Sequence, residues 1–202
     1  GAAASVNDIT VVNEASIGNG TTQGTTITIE AVMKDAGSSD TQHSYTAEAE
    51  AGASDGKVGI AGAFAGDFVT STTSAIGKGH LATTSGGLTI NAKNDEKVDA
   101  KATGKETGGK TVGIGATISI NDLTNSVHTS LDGATVNSAG AVALDSESKS
   151  EIKARTLSAA IVKKDGSTKT STSTTDNGGG LNGAGAGAGS DNEIHNTVIS
   201  DI

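Results

Sequence analysis

A short motif recurs along this chain of 202 residues, and the distance between its copies limits the possible folds more than any other feature. The run Val58-Gly59-Ile60 returns as Val112-Gly113-Ile114, and each copy begins a stretch in which apolar residues alternate with small or polar ones. Repeats of this kind that cannot form a core of their own become stable when they stack on their neighbours. The chain is therefore predicted to consist of tandem units.

An acidic residue followed by an apolar one marks the same place in each unit. These pairs begin at Asp8, Asp67, Asp122 and Glu193, and the longest interval separates the last two. A polar insertion from Lys163 to Gly180 accounts for the extra length of that interval. The predicted units of this single domain are residues 1–57, 58–111, 112–180 and 181–202, with the polar insertion at 163–180.

Apolar residues recur at every second position within the units, as is typical of β-strands. Ile114, Ile118 and Ile120 would form one face of a strand, and a change of parity at Asn121-Asp122 predicts a corner, since Asn and Asp tolerate turn conformations. The chain also lacks Pro, which would remove a hydrogen bond from a central strand. We therefore predict an all-β fold, a parallel β-helix (β-solenoid) built from tandem repeats of about 55 residues.

The repeat length allows two arrangements of coils. Three coils of roughly 18 residues per unit are favoured, because a chain with two Phe, one Tyr and no Trp has few side chains that could fill a wide interior. Fewer and wider coils would fit the longer runs of alternating residues. In either arrangement, three columns of inward side chains are predicted: Ile9/Phe68/Leu123/Ile194, Ile17/Ile76/Leu131/Ile202 and Ile29/Ile90/Leu144.

Two runs of the sequence resemble the repeats of very large Gram-negative surface adhesins, namely Val112–Asn121 and Thr129–Ser148. The resemblance is to leukotoxin-family filamentous adhesins and, more broadly, to filamentous-haemagglutinin-like and autotransporter passenger domains. It implies an extracellular location on the bacterial cell surface, a β-helical shaft and a structural or adhesive role. The implied partner is a ligand on a host or neighbouring cell. The resemblance transfers no catalytic, cofactor-binding or metal-binding residue and no cofactor.

A second hypothesis is a subunit of a self-assembling extracellular fibre. If both ends of the chain fall inside repeats, the terminal coils expose bare strand edges, and such edges can pair with another molecule. Copies of the chain would then join end to end.

Composition argues against several other classes of function. A net charge of −9 with a single Arg disfavours nucleic acid as a partner. No run approaches the roughly 18 apolar residues of a membrane helix, so we expect no membrane insertion by this segment. An enzyme is not expected, because one Arg and three aromatic residues leave no cationic cluster and no platform for stacking sugar rings.

Two groups of residues have the chemistry of metal ligands. The acids Asp8, Asp67, Asp122 and Glu193 could form a column that binds Ca²⁺. With three coils per unit they would lie about 14 Å apart, which favours a role in capping turns instead. The four histidines occupy unrelated repeat positions, so exposed polar residues are expected rather than a zinc site: His43, His80, His128 and His195.

Two segments near the end of the chain are rich in small residues. Gly183–Gly189 alternates Gly with Ala and aligns with the Val-Gly-Ile strands, so it is predicted to be a strand rather than a calcium-binding glycine-rich roll or a linker. The insertion Lys163–Gly180 is predicted to be a mobile excursion from one corner, and contact with a ligand is a hypothesis for it.

Overall fold

The computed structural model describes residues 1–33, 42–54, 58–109, 112–164, 167–174 and 184–202. Within these ranges the chain is all-β and contains no helix, as the alternating sequence predicts. The strands, in chain order, are β1 (Ala2–Ile17), β2 (Thr21–Gly24), β3 (Ile27–Val32), β4 (His43–Ser54), β5 (Val58–Gly77), β6 (His80–Thr83), β7 (Leu88–Gly109), β8 (Val112–Leu131), β9 (Thr135–Asn137), β10 (Val142–Lys164), β11 (Ser167–Thr174) and β12 (Ala184–Asp201).

The strands form three sheets. The front sheet has the order β1-β5-β8-β12, and the end sheet has the order β2-β6-β9. The back sheet has the order β11-β10-β7-β3, and β4 also pairs with β7. Every pairing among the described strands is parallel except that of β10 with β11. The chain therefore passes from the front sheet through the end sheet to the back sheet and then returns to the front.

Parallel neighbours are separated by about one sequence repeat. Val58 pairs with Val112, and Leu88 pairs with Val142, so each residue meets its counterpart in the next unit. Three coils per unit would require partners only a third of a repeat apart, so that arrangement is wrong. Long strands can still enclose an interior filled by small side chains, because the front and back sheets lie close together and leave only a thin space between them.

The interior becomes thinner with distance from the end sheet. Beside the end sheet it contains Ile and Leu side chains, among them Leu81, Leu88 and Ile90. At the opposite end it contains alanines such as Ala49 and Ala102. A Cβ on Gly104 would lie 2.8 Å from Thr117 Cγ2 and 3.1 Å from the carbonyl oxygen of Ala116, so β7 and β8 leave no room there for a larger residue.

The predicted corner at Asn121-Asp122 is wrong, because β8 runs without interruption through both residues. Its odd-numbered residues from Gly113 to Leu131 are all buried, so the inward face does not change parity. Ile114 and Ile118 lie on the outer face, with 43% and 50% of their surfaces exposed. The predicted corner arose because polar residues occupy inward positions at the centre of this strand.

One of the three predicted inward columns is confirmed in full, since Ile29 pairs with Ile90 and Ile90 pairs with Leu144. In the second column the pairing runs through Ile9, Val69, Leu123 and Ile194, so Val69 replaces the predicted Phe68.

In the third column Gly77 stands between Ile17 and Leu131, where Ile76 was predicted. Ile202 lies beyond the paired residues and is 92% exposed. Both errors in β5 have one cause, because β1 pairs with β5 one residue beyond the alignment that matches Asp8 with Asp67. A shift of one residue in the pairing of two strands moves each predicted inward side chain to the outer face of the sheet.

The last part of the chain contains two further strands. Ala184 pairs with Gly113, which confirms that residues 184–189 of the Gly-Ala segment form a strand. In the predicted excursion, Ser167–Thr174 pairs with β10 as an antiparallel edge strand, so this part is regular structure. Residues 165–166 and 175–183 lie outside the described residues, and ligand contact by the insertion stays a hypothesis.

Candidate functional site

A row of amide and carboxylate side chains crosses the interior of the front sheet. Asn7, Asp67, Asn121 and Asn192 occupy the same position on its four strands and form the asparagine row. Asn7 Nδ2 donates to Asp67 Oδ1 at 2.6 Å, and Asn121 Nδ2 donates to Asn192 Oδ1 at 2.8 Å. These bonds connect neighbouring strands through side chains in addition to the backbone.

The asparagine row also contacts the back sheet. The backbone amide of Ala47 donates to Asp67 Oδ2 at 3.0 Å, and Asn121 Nδ2 donates to the carbonyl of Lys153 at 2.8 Å. Burial raises the pKa of Asp67, and the hydrogen bonds from Asn7 and Ala47 offset part of that rise. The row therefore joins the two sheets at a defined register.

A second group of polar residues surrounds Glu96 in the interior and is named the glutamate cluster. Asn94 Nδ2 donates to Ser71 Oγ at 3.1 Å and also to Asn125 Oδ1. Asn125 Nδ2 donates to Ser150 Oγ at 3.0 Å. The members of the cluster are Ser71 and Asn125 of the front sheet and Asn94, Glu96, Ser148 and Ser150 of the back sheet.

Glu96 is fully buried, and neither of its carboxylate oxygens accepts a hydrogen bond from a described residue. Burial raises the pKa of Glu96, and the neighbouring polar groups, with His43 directly beside it on β4, offset part of the rise. Burial, together with the charge of Glu96, raises the pKa of Tyr45 to about 12. Glu96 is thus an internal acid whose ionised form is unfavourable in the folded protein.

Replacing Glu96 with Gln is expected to stabilise the protein at neutral pH. A raised folded-state pKa means that the folded protein binds this proton more tightly than the unfolded chain. Stability is therefore greatest below the ordinary pKa of 4.5 and falls as pH rises toward the folded-state pKa. Glu96→Gln removes this loss and should raise the free energy of unfolding at pH 7 by about 1–3 kcal/mol, with a smaller gain near pH 4.

Urea denaturation at the two pH values measures this effect. The exposed Glu50 lies on the outer face of the same sheet, and Glu50→Gln provides the control, which should change stability little. A gain for Glu96→Gln that is equal at both pH values would contradict an ionised Glu96 as its cause.

The four acids predicted to occupy one corner are not in one column. Asp8, Asp122 and Glu193 share an outward position with Phe68, whereas Asp67 belongs to the interior row. All four lie within strands, so their predicted role in capping turns is wrong. Asp122 and Glu193 are direct neighbours, and among the described residues no group of three or more His, Cys, Asp or Glu could hold a metal ion.

The histidines are dispersed, as their repeat positions predict. His128 lies 2.9 Å from Asp201, and His195 lies 2.8 Å from Glu193 on the same strand. The prediction of exposed residues is confirmed for His195 only, because His43, His80 and His128 are half-buried. His43 Nε2 is buried and has no hydrogen-bond partner among the described residues.

The outer face of the front sheet is apolar over its half farther from the end sheet. Ile60 is 56% exposed, Val58 is 55% exposed and Ile118 is 50% exposed. This apolar face consists of Ala2, Ala4 and Val6 of β1, Val58, Ile60, Gly62 and Phe64 of β5, Ile114, Ala116 and Ile118 of β8, and Gly185, Gly187 and Gly189 of β12. Exposed apolar patches of this extent are typical of interaction surfaces.

The apolar face has a regular relief. Ile60 pairs with Ile114, and Phe64 pairs with Ile118, so two ridges of large side chains cross the central strands. A groove of about 520 Å³ runs beside the Phe64–Ile118 ridge, and its floor is a row of small residues. This row consists of Ala2, Gly62, Ala116 and Gly187.

The outer face of the back sheet has the opposite character. Arg155 Nη2 lies 2.6 Å from Asp99 Oδ2, and Lys101 forms an ion pair with Glu48. Lys93 lies 3.1 Å from Asp145. These cross-strand pairs of opposite charge keep this face hydrated, and they make it a poor surface for apolar contacts.

The fold and these surfaces define an all-β protein of parallel sheets, in which the outer face of the back sheet is charged and half of the outer face of the front sheet is apolar. Comparisons with models of protein families, with curated proteins and with solved structures found no match for this chain. In the part of the chain that the structure describes, no helix has the length and apolar character needed to cross a membrane.

Sequence reasoning missed both the buried polar groups and the apolar face. The exposed isoleucines of β8 have the same alternation as buried ones, so periodicity alone cannot distinguish the two faces. The sequence did contain a clue to the buried asparagines. Asn121 and Asn125 are each two positions from the correctly predicted inward residue Leu123, so all three side chains lie on the same face of β8.

Proposed function

We propose that this chain is a section of a parallel β-solenoid with one coil per sequence repeat, and that it serves as a rigid shaft in a large bacterial surface adhesin. One observation supports the solenoid most directly: parallel partners in all three sheets are separated by about one repeat. The described strands then correspond to three coils and the front strand of a fourth.

Such a coil gains its stability from its neighbours. Each long strand donates its backbone hydrogen bonds to the coils on either side, and each inward side chain packs on its counterpart one coil away. Val69, Leu123 and Val98 form one such contact between the front and back sheets. The asparagine row adds side-chain bonds along the same direction. Stability that accumulates along the stack suits a shaft that has to resist bending and unfolding.

The adhesin part of the proposal is based on the resemblance of Val112–Asn121 and Thr129–Ser148 to repeats of Gram-negative surface adhesins. The proposed location is the outside of the bacterial cell, and the proposed partner is a ligand on a host or neighbouring cell. An array of glycans and extracellular-matrix proteins, probed with the purified chain, tests for this partner.

Deletion of one whole unit tests the solenoid. Removing residues 58–111 joins residue 57 to Val112, which occupies the place of Val58 in the register. The shortened chain is expected to keep a β-sheet circular dichroism spectrum and a cooperative thermal transition at a lower Tm. The matched control removes only residues 58–84, which breaks the register and should abolish folding. If both deletions unfold the chain, or both are tolerated, one coil per repeat is wrong.

A fibre subunit is the second candidate function. The front sheet ends in the long strands β1 and β12, so β12 of one copy could pair with β1 of the next. Light scattering over a concentration series separates the candidates, because an end-to-end fibre grows without limit and a shaft section does not.

A further inference from the structure

We propose that the glutamate cluster binds one monovalent cation, of the size and hardness of Na⁺, between the front and back sheets. The charged ligand is the carboxylate of Glu96, the amide oxygen of Asn94 lies on the same strand, and Ser71 contributes its hydroxyl from the front sheet. This site is independent of the adhesin assignment, because it follows from the side chains inside the molecule alone.

The hydrogen bonds of the cluster leave a group of acceptor oxygens without partners. Asn94 Nδ2 has two hydrogens, and it donates to Ser71 Oγ and to Asn125 Oδ1. Asn125 Nδ2 likewise donates to two serine hydroxyls of β10. No donor among the described residues forms a hydrogen bond to Asn94 Oδ1 or to either carboxylate oxygen of Glu96, and all three oxygens are buried. The cluster therefore holds more buried acceptors than its own amides can satisfy.

A cation satisfies these oxygens better than a proton does. Protonation of Glu96 would supply one hydrogen and leave two of the three oxygens unpaired, and unpaired buried polar groups are costly. A bound cation contacts several oxygens at once and neutralises the carboxylate. His43 lies directly beside Glu96 on β4, but its Nε2 has no hydrogen-bond partner among the described residues, so it does not supply the counter-charge through that atom.

The ligands also determine the type of cation. All of them are oxygens, which suit hard cations rather than the metals that prefer His and Cys. The single carboxylate of Glu96 balances one positive charge, whereas a divalent ion would leave a net charge inside the protein, which is strongly unfavourable. Because amide and hydroxyl oxygens complete the set, the site does not need a group of three or more acids or histidines, which the described residues lack.

A small cleft beside the cluster provides an entry path, which a metal site requires. The cleft has a volume of about 70 Å³, and its lining includes one member of the cluster, Asn94, of which only 2% is exposed. The other lining residues are Val32, Met33, Lys93, Asp95, Glu147 and Lys149. The cluster can therefore exchange an ion with the solvent through the back sheet.

Urea denaturation at pH 7 in sodium chloride and in choline chloride of equal ionic strength tests the proposal, because choline is too large for the interior. An ion that binds only the folded chain lowers the unfolding equilibrium constant as the site fills. From a half-filled site upward, a tenfold rise in sodium should lower that constant about fivefold or more. Glu96→Gln should lose this response, and the control Glu50→Gln, at an exposed position of the same sheet, should keep it.

The stability gain expected for Glu96→Gln gives a second readout. This gain should be largest in choline, where the ionised carboxylate has no counter-ion, and smaller in sodium, where the bound ion compensates the charge. A sodium response of Glu96→Gln equal to that of the unaltered chain would overturn the proposal. So would stabilisation of the unaltered chain by calcium chloride and not by sodium chloride, since it would assign the site to a divalent ion.

Discussion

Replacing Leu123 with Asp is expected to lower the free energy of unfolding by on the order of 4 kcal/mol. Leu123 is fully buried and packs with Val69 and Val98 between the front and back sheets. The substitution removes about 1.5–3 kcal/mol of apolar burial and introduces a polar group whose desolvation costs roughly 1–3 kcal/mol more. Urea denaturation followed by circular dichroism measures the loss.

The neighbouring residue provides the control for this substitution. Thr124 is exposed on the outer face of the same strand, so Thr124→Asp introduces the same group one position away and should change stability by less than about 0.5 kcal/mol. Equal losses for the two variants would mean that the inward and outward faces of β8 are wrongly assigned, and with them the whole register of the front sheet.

The sequence predicted the all-β fold and much of its register because apolar residues at equivalent positions recur one repeat apart. Ile29, Ile90 and Leu144 form a column in the back sheet, as predicted from their shared apolar-x-apolar pattern. In the front sheet, Ile9 and Leu123 also lie in one column. Within these segments the hydrophobic pattern and the hydrogen-bond ladder require the same alignment.

The prediction for β5 was wrong because the alignment of the acidic residues differs by one residue from the alignment of the paired backbones. Matching acid with acid placed Phe68 opposite Ile9, whereas the backbone pairs Ile9 with Val69. Phe68 consequently lies on the outer face, where its ring and that of Phe64 cover Gly66. A β-branched residue fits the thin interior better than a phenylalanine does, so packing decides an alignment that similarity of sequence leaves ambiguous.

The buried polar groups could not be found from periodicity, because a polar residue inside a strand normally indicates the outer face. Asn121 and Asn125 lie inside because the Nδ2 group of each donates a hydrogen bond to the opposite sheet, and Asn121 Nδ2 also donates to Asn192 on the adjacent strand. Those partners are distant in sequence, as Asn192 is from Asn121 and Ser148 is from Asn125. Only the three-dimensional arrangement brings them together.

The small residues of the interior determine the spacing of the two sheets. Enlarging one of them is therefore the second substitution that we expect to lower stability strongly. Replacing Gly115 with Val is expected to lower the free energy of unfolding by on the order of 3 kcal/mol, because overpacking a rigid interior displaces its surroundings. A Cβ at Gly115 would lie 2.7 Å from Ser158 Oγ and 2.8 Å from the carbonyl oxygen of Ala159. The serine can rotate, but the carbonyl belongs to the backbone of β10 and cannot move without disturbing the back sheet.

The control for Gly115→Val is Ala116→Val, at the adjacent outward position of β8. Ala116 is exposed, so two added methyl groups meet solvent, and stability should change by less than about 0.5 kcal/mol. Both variants are compared by urea denaturation followed by circular dichroism. If Gly115→Val is as stable as Ala116→Val, the front and back sheets are not held as close as the structure places them, and small side chains would no longer explain how strands of this length enclose a filled interior.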